Sequence, residues 1–199
     1  MQRSHRSWIW IVLALFAVWQ LWTIQQPGAP VPPQRQWFQQ VTKEYLSTLK
    51  RTLLRHLARG TVEAVKVCAD TAQLLNQHFS QRYGIQIRRV SLRPRNPADT
   101  ADAFERRWLQ QFEQMKARGV RLDTVAVLQA VAEEADTVYR FLKPIVINTA
   151  VCLQCHGPED HLDPQLLAFL KRKYPNDQAR NHQLGDIRGA VSIVWKSDR

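Results

Sequence analysis

Two cysteines and a histidine stand within five residues, in the segment CLQCH at positions 152–156. Two intervening residues allow both sulfurs to reach one edge of a flat ring system, and the adjacent histidine can lie under its centre. In an exported chain this spacing is typical of covalent haem attachment, in which the thiols add to the two vinyl groups and the histidine binds the iron. The segment therefore predicts one haem c, bound by Cys152, Cys155 and His156.

Two other interpretations of the segment are weaker. A disulfide between Cys152 and Cys155 is the first, but a redox-active CxxC normally opens a helix in a βαβ unit, and that pattern is missing here. A zinc site is the second, because His156 and His161 have the spacing of a ligand pair. A zinc finger needs a spacer between its cysteine pair and its histidine pair, and the sequence has none.

An apolar segment near the N-terminus, WIWIVLALFAVWQLWTI at residues 8–24, indicates export. Its length is at the short end of the roughly 17–25 residues that a membrane-spanning helix needs. Arg3 and Arg6 precede it and the next basic residue is Arg35, so the positive-inside rule places the N-terminus in the cytoplasm. We expect residues 1–24 to form a cytoplasmic tip and a single-pass anchor in a bacterial inner membrane, with the remainder in the periplasm. A cleaved signal peptide is the alternative.

The rest of the chain divides into a linker and one domain. Residues 25–36 are rich in proline and predict a stiff, extended linker. Residues 37–199 are long enough for one domain with its own core. Apolar periodicity and turn residues predict helices at 37–59, 61–83, 99–117 and 164–173, and strands at 85–92, 122–131, 137–148 and 191–196. This order favours an α+β fold, with helices packed on a PAS-like antiparallel sheet around the haem.

The chain is strongly basic, with a formal net charge of +11. Such a charge favours a solvated basic surface, attraction to anionic lipid headgroups or an acidic partner protein. Basic chains also bind nucleic acid, but export would separate this chain from it, and we expect no nucleic-acid partner. The carboxylates of a bound haem would take up part of the positive charge.

Arg93 and Arg95 lie in the loop RPRNP at residues 93–97. Arginine offers a planar fork of donors that matches a carboxylate, which makes both residues candidates for binding the haem propionates. The alternative is that both are exposed charges on a proline-rich loop, and the sequence leaves the two interpretations open.

The second axial ligand of the iron is less clear from the residues themselves. The candidates are Met115, His56, His78, His161, His182 and Cys68. Cys68 differs from the others because it lies on an apolar helix face among small residues, which allow a flat group to approach closely. A buried core thiol is the competing interpretation, since free cysteine is among the most buried residue types.

Three segments together resemble a known family. They are VSLRPRNPADTADAFE (90–105), the region from YRFLKPI to CLQCHG (139–157), and the region from YPNDQA to GDIRGAVS (174–192). The chain resembles the exported c-type haem PAS-like sensor family of cyanobacteria and proteobacteria, long catalogued as a domain of unknown function. The resemblance implies a PAS-like fold around one haem c, attached at Cys152 and Cys155 and ligated by His156. It implies Cys68 as the second axial ligand.

The chain departs from the family pattern at Asn181 and His182, where relatives more often have glycine followed by an aromatic residue. Asparagine tolerates left-handed backbone angles better than most residues, so we expect the turn to persist. His182 adds a possible stray ligand.

These features favour a redox or diatomic-gas sensor that signals through a partner protein. An electron-transfer cytochrome is the alternative, and ligand identity separates the two, since His/thiolate ligation lowers the reduction potential and is more typical of sensors. An enzyme is not expected, because the sequence has no second metal motif and no acid/base constellation.

Overall fold

Two long helices open the part of the chain that the computed structural model describes, residues 34–133 and 136–196. They are α1 (Arg35–Leu57) and α2 (Thr61–Tyr83). Helix α1 begins two residues before the expected domain start at residue 37. Gly60 joins the helices at φ 118°, a backbone angle that favours glycine. The side chains of residues 68–70, 133 and 136 lie outside the described part.

A four-stranded antiparallel sheet follows. Its strands are β1 (Gln86–Val90), β2 (Val127–Glu133), β3 (Asp136–Val146) and β4 (Ile187–Lys196), in the spatial order β1-β4-β3-β2. Strands β2 and β3 form a hairpin, with Val127 opposite Leu142. The predicted α+β class with an antiparallel sheet is confirmed.

The remaining helices of the described residues are α3 (Ala103–Ala117), the single turn α4 (Leu153–His156) and α5 (Pro164–Lys173). Short 3-10 turns lie at Pro97–Asp99, Ala150–Cys152 and Glu159–His161. Helix α3 begins four residues later than expected because Asp102 caps it, accepting a hydrogen bond from the Glu105 amide at 2.8 Å. Strand β2 begins at residue 127 instead of 122 because residues 122–124 form a turn.

The helices cover both faces of the sheet. Phe141 packs with Phe38 of α1, with ring centroids 5.3 Å apart, and belongs to a core that includes Phe79 of α2. Its neighbour Leu142 belongs to a second core with Leu109 and Phe112 of α3. Consecutive strand residues face opposite sides of a sheet, so α1 and α2 lie on one face and α3 on the other.

The predicted membrane anchor at residues 8–24 lies outside the described residues, as do most of the expected linker and the last three residues. Within residues 34–133 and 136–196, no helix combines the length and hydropathy that a bilayer span requires.

A buried ion pair joins α3 to the sheet, and its removal should destabilise the fold. Glu105 is 1% exposed and accepts hydrogen bonds from Arg88 at 2.6 Å and from Arg140 at 3.4 Å. Replacing Glu105 with Gln removes the carboxylate partner of Arg88, whereas Arg140 keeps its hydrogen bond to Asp102. We expect a loss of about 3 kcal/mol, near the lower end for a broken buried pair, because Arg88 is partly exposed and Arg140 stays paired. Urea unfolding measures it. Glu113→Gln, an exposed change on the same helix, is the control, and an equal effect of the two substitutions would contradict the assignment.

Candidate functional site

The CLQCH segment forms a tight turn. A 3-10 turn ending at Cys152 leads directly into the single helical turn of α4, which ends at His156. Cys155 is buried against Val65 of α2 and Leu166 of α5. The chain then reverses at Gly157, where a Cβ atom would lie 2.6 Å from the Leu153 carbonyl oxygen. Only glycine permits this reversal, so the position after the histidine is constrained by packing.

A cavity of about 780 Å³ opens beside this turn and is lined by Cys152, Cys155 and His156. Its volume lies within the roughly 300–1,000 Å³ typical of ligand pockets. Strands β3 and β4 contribute Ile145 and Gly189 to the lining. Helix α1 supplies an apolar wall of five leucines: Leu46, Leu49, Leu53, Leu54 and Leu57. A cavity with an apolar wall, two thiols and an imidazole suits a large, mostly apolar cofactor.

The imidazole of His156 is held in one orientation. Its Nδ1–H donates to the Ala179 carbonyl oxygen at 2.7 Å, which leaves Nε2 unprotonated when the ring is neutral. Burial, together with the positive charges of Arg188 and Arg95, holds the pKa of His156 well below its usual range. The ring is therefore a neutral base with one free lone pair, which is the form that binds a metal.

The loop that accepts this hydrogen bond is itself fastened by the RPRNP segment. Arg95 donates to the Cys155 carbonyl oxygen at 2.5 Å and to Asp177 at 3.1 Å. Asp177 in turn accepts from the Ala179 amide at 2.8 Å. Arg93 donates to the Gln178 carbonyl oxygen at 3.1 Å and also to the carbonyl oxygen of Arg180. Both arginines thus connect the loop at 177–180 to the cysteine segment or to the strand that precedes them.

The turn at Asn181 joins the same loop to the end of the CLQCHG segment. Asn181 has the left-handed angle φ 57°, and its amide donates to the Gly157 carbonyl oxygen at 2.8 Å. The His182 amide donates to the His156 carbonyl oxygen at 2.9 Å. The expectation that asparagine preserves this turn is therefore confirmed. The ring of His182 is buried, with its centroid 6.3 Å from that of His156.

Two arginines that the sequence did not single out as binding residues also line the cavity. Arg89 comes from β1 and Arg188 from β4, where it belongs to the GDIRGA motif. Burial and the positive charges of Arg95 and Arg89 lower the pKa of Arg188 to about 9. The motif was visible in the sequence, but its role was not, because nothing local shows that Arg188 faces the cavity.

The structure brings most of the predicted site residues together. Cys152, Cys155, His156 and Arg95 line the cavity, whereas Arg93 does not. Cys68 falls within α2, but its side chain lies outside the described residues. The other candidates for a second ligand do not line the cavity: Met115, His56, His78, His161 and His182. Among the described residues, no group of three or more His, Cys, Asp or Glu side chains could hold a metal ion.

Loss of the Arg95 side chain should loosen the loop that orients His156. Arg95→Gln removes the bonds to Cys155 and Asp177, so the amides of Asn181 and His182 should exchange with solvent faster, at least tenfold if about 1.4 kcal/mol of local stability is lost. Amide hydrogen exchange measures it, with the exposed change Arg118→Gln as the control. Unchanged protection of these amides in Arg95→Gln would show that Arg95 does not fasten the loop at 177–180.

No curated protein matches the chain. The crystal structure of the cyanobacterial heme-protein Tll0287 superposes with a TM-score of 0.61 at 23% identity, over 84% of this chain and 99% of that one. The profile of the Tll0287-like family matches residues 21–195. The chain belongs to the Tll0287-like family.

Proposed function

We propose that the chain is a c-type haem protein, with one haem attached at Cys152 and Cys155 and ligated by His156. The observation that carries the proposal is the single cavity that both thiols share with the imidazole, whose Nδ1–H is committed to Ala179. The solved relative is itself described as a heme-protein, which supports the same cofactor. A bound haem would supply an iron that changes charge by one unit and can bind diatomic gases.

Cys68 is the proposed second axial ligand. The family resemblance implies it, and position 68 follows cavity-lining Val65 by three residues on the same helix. Residues three apart on a helix share a face, so position 68 belongs to the side of α2 that borders the cavity. Val65 and Ala72, three positions before and four positions after it on the same helix, are apolar and buried, and an apolar environment disfavours a thiolate that has no cationic partner.

We propose a redox or diatomic-gas sensor with a PAS-like domain, not an enzyme. A thiolate prefers ferric iron, so reduction or gas binding would favour protonation and release of Cys68 while His156 stays fixed. Release of Cys68 would remove the proposed bond between the iron and α2, and α2 joins α1 through Gly60. A partner protein could recognise the redox or ligand state of the haem if α1 and α2 take a different position in each state.

Covalent attachment predicts that the haem resists extraction. Acid–acetone treatment of the native protein should leave the haem on the polypeptide, because the bonds to Cys152 and Cys155 survive it. The matched control is the double variant Cys152→Ser, Cys155→Ser, which should release any haem that it binds. Haem staining of a denaturing gel reads both proteins, and complete extraction from the native protein would refute the covalent site.

Cys68→Ser separates the sensor from an electron-transfer cytochrome. It should retain covalent haem, lose the low-spin ferric thiolate signal in EPR, and raise the midpoint potential, because an anionic donor to ferric iron is removed. Ala72→Ser is the control, since it adds the same hydroxyl to a buried position on the same helix. If the EPR signal and potential of Cys68→Ser match those of the native protein, the electron-transfer function becomes the better proposal.

We also propose that residues 8–24 anchor the protein in the bacterial inner membrane with the haem domain in the periplasm. Burial of this apolar segment gives effectively irreversible insertion. N-terminal sequencing of protein purified from membranes should therefore begin within the first 7 residues. A mature terminus between residues 25 and 36 would show that the segment is a cleaved signal.

A further inference from the structure

The arginines that line the cavity differ in how many of their guanidinium nitrogen atoms have hydrogen-bond partners. Arg188 Nη1 donates to the Ser91 hydroxyl at 3.0 Å and to the Arg93 carbonyl oxygen at 3.3 Å. Its Nε atom is buried and has no hydrogen-bond partner, and the same is true of Arg89 Nε. Buried donors of a charged group without partners are costly. Two such atoms lie on arginines that border one cavity, which indicates that an acceptor from a ligand belongs there.

The carboxylates near these arginines are already engaged. Asp99 lies 3.7 Å from Arg89, and burial raises its pKa. Asp177 is shared between Arg95 and Arg180. Among the described side chains, no carboxylate lies within 4 Å of a nitrogen of Arg188. The cavity therefore has an excess of positive charge that the protein itself does not neutralise.

Arg93 and Arg95 are poorer candidates for an anion. The guanidinium group of Arg93 does not line the cavity and is bound to carbonyl oxygens of the loop at 177–180. Arg95 lines the cavity, but its Nε and Nη2 atoms are committed to Asp177 and Cys155. The contacts of Arg93 and Arg95 fasten the loop at 177–180. Arg89 and Arg188 therefore remain as the candidates for binding an anion.

We propose that Arg188 and Arg89 form a carboxylate subsite that binds the propionates of the haem. The inference rests on the proposed haem function and adds the residues that hold the charged edge of the cofactor. The vinyl groups of a haem, which the two cysteines would consume, lie on the edge opposite its propionates. The propionates are the anions that a haem brings, and a planar guanidinium matches a carboxylate through two parallel hydrogen bonds.

The test uses the full-length haem-loaded protein with the propionate carboxyl carbons labelled with ¹³C. Arg188→Gln should shift the labelled carboxylate bands in the redox infrared difference spectrum and lower the midpoint potential, because a positive charge that opposes ferric iron is lost. Arg188→Lys should restore part of the potential, since it returns the charge without the planar fork. Arg118→Gln removes an equal charge from the exposed surface and is the control.

The possible outcomes distinguish failure of the carboxylate subsite from failure of the proposed haem function. Labelled bands and potential that stay unchanged in Arg188→Gln would overturn the proposal, as would a shift of those bands in Arg93→Gln alone. If Arg188→Gln fails to accumulate, Arg89→Gln and Arg188→Lys decide by the same two measurements. Absence of covalent haem from the native protein would instead refute the proposed function, and a free anion in the cavity would leave the ¹³C-labelled bands insensitive to both arginines.

Discussion

The hydrogen bond from His156 Nδ1 to the Ala179 carbonyl oxygen, at 2.7 Å, is the interaction on which the site depends. It fixes the tautomer of the imidazole and leaves the other nitrogen for a ligand. A backbone carbonyl in a loop can serve this purpose only if the loop is rigid. The contacts of Arg95, Asp177 and Asn181 supply that rigidity, since each ties the loop to a different point of the cysteine segment or its surroundings.

Much of the fold could be predicted from the pattern of apolar residues. Helix α1 was expected at 37–59 and lies at 35–57, and the helix after Gly60 was placed correctly at 61–83. The strand predicted at 122–131 begins only at residue 127. The prediction differs because Leu122 is buried although it lies in a turn. A buried turn residue and a buried strand residue give the same signal in the sequence, so periodicity alone cannot tell them apart.

The site could be predicted only as far as its chemistry is local. The spacing of CLQCH predicts haem attachment from five consecutive residues, and both cysteines and the histidine do line one cavity. The hydrogen bonds by which Arg93 and Arg95 fasten the loop at 177–180 could not be predicted, because Arg93 and Gln178 are separated by 85 positions in the chain. The position of Arg89 and Arg188 in one cavity could not be predicted for the same reason. Antiparallel pairing of β1 with β4 brings these residues, which are distant in the chain, to one region. Net charge showed that the chain is basic, but it carries no information on which charges face inward.

Two parts of the cavity wall differ in how firmly they are held, and this difference supports the proposed sensor function. On the His156 side, hydrogen bonds fasten the turn at several points, among them the bond from the His182 amide to the His156 carbonyl oxygen at 2.9 Å. Another part of the wall is the leucine face of α1, where Leu54 is 44% exposed. The hydrogen bonds of α1 run mainly to α2, from Tyr45 to Asn76 and from Tyr83 to Glu44, so these two helices are joined to each other. Their apolar contacts with the sheet are non-directional and tolerate a small shift, whereas a hydrogen-bonded loop does not. In the proposed sensor, a change of ligand at a bound haem would therefore move the helical pair before it moved the histidine. A protein that only carries electrons gains nothing from such an asymmetry, since its two redox states work best with the same geometry.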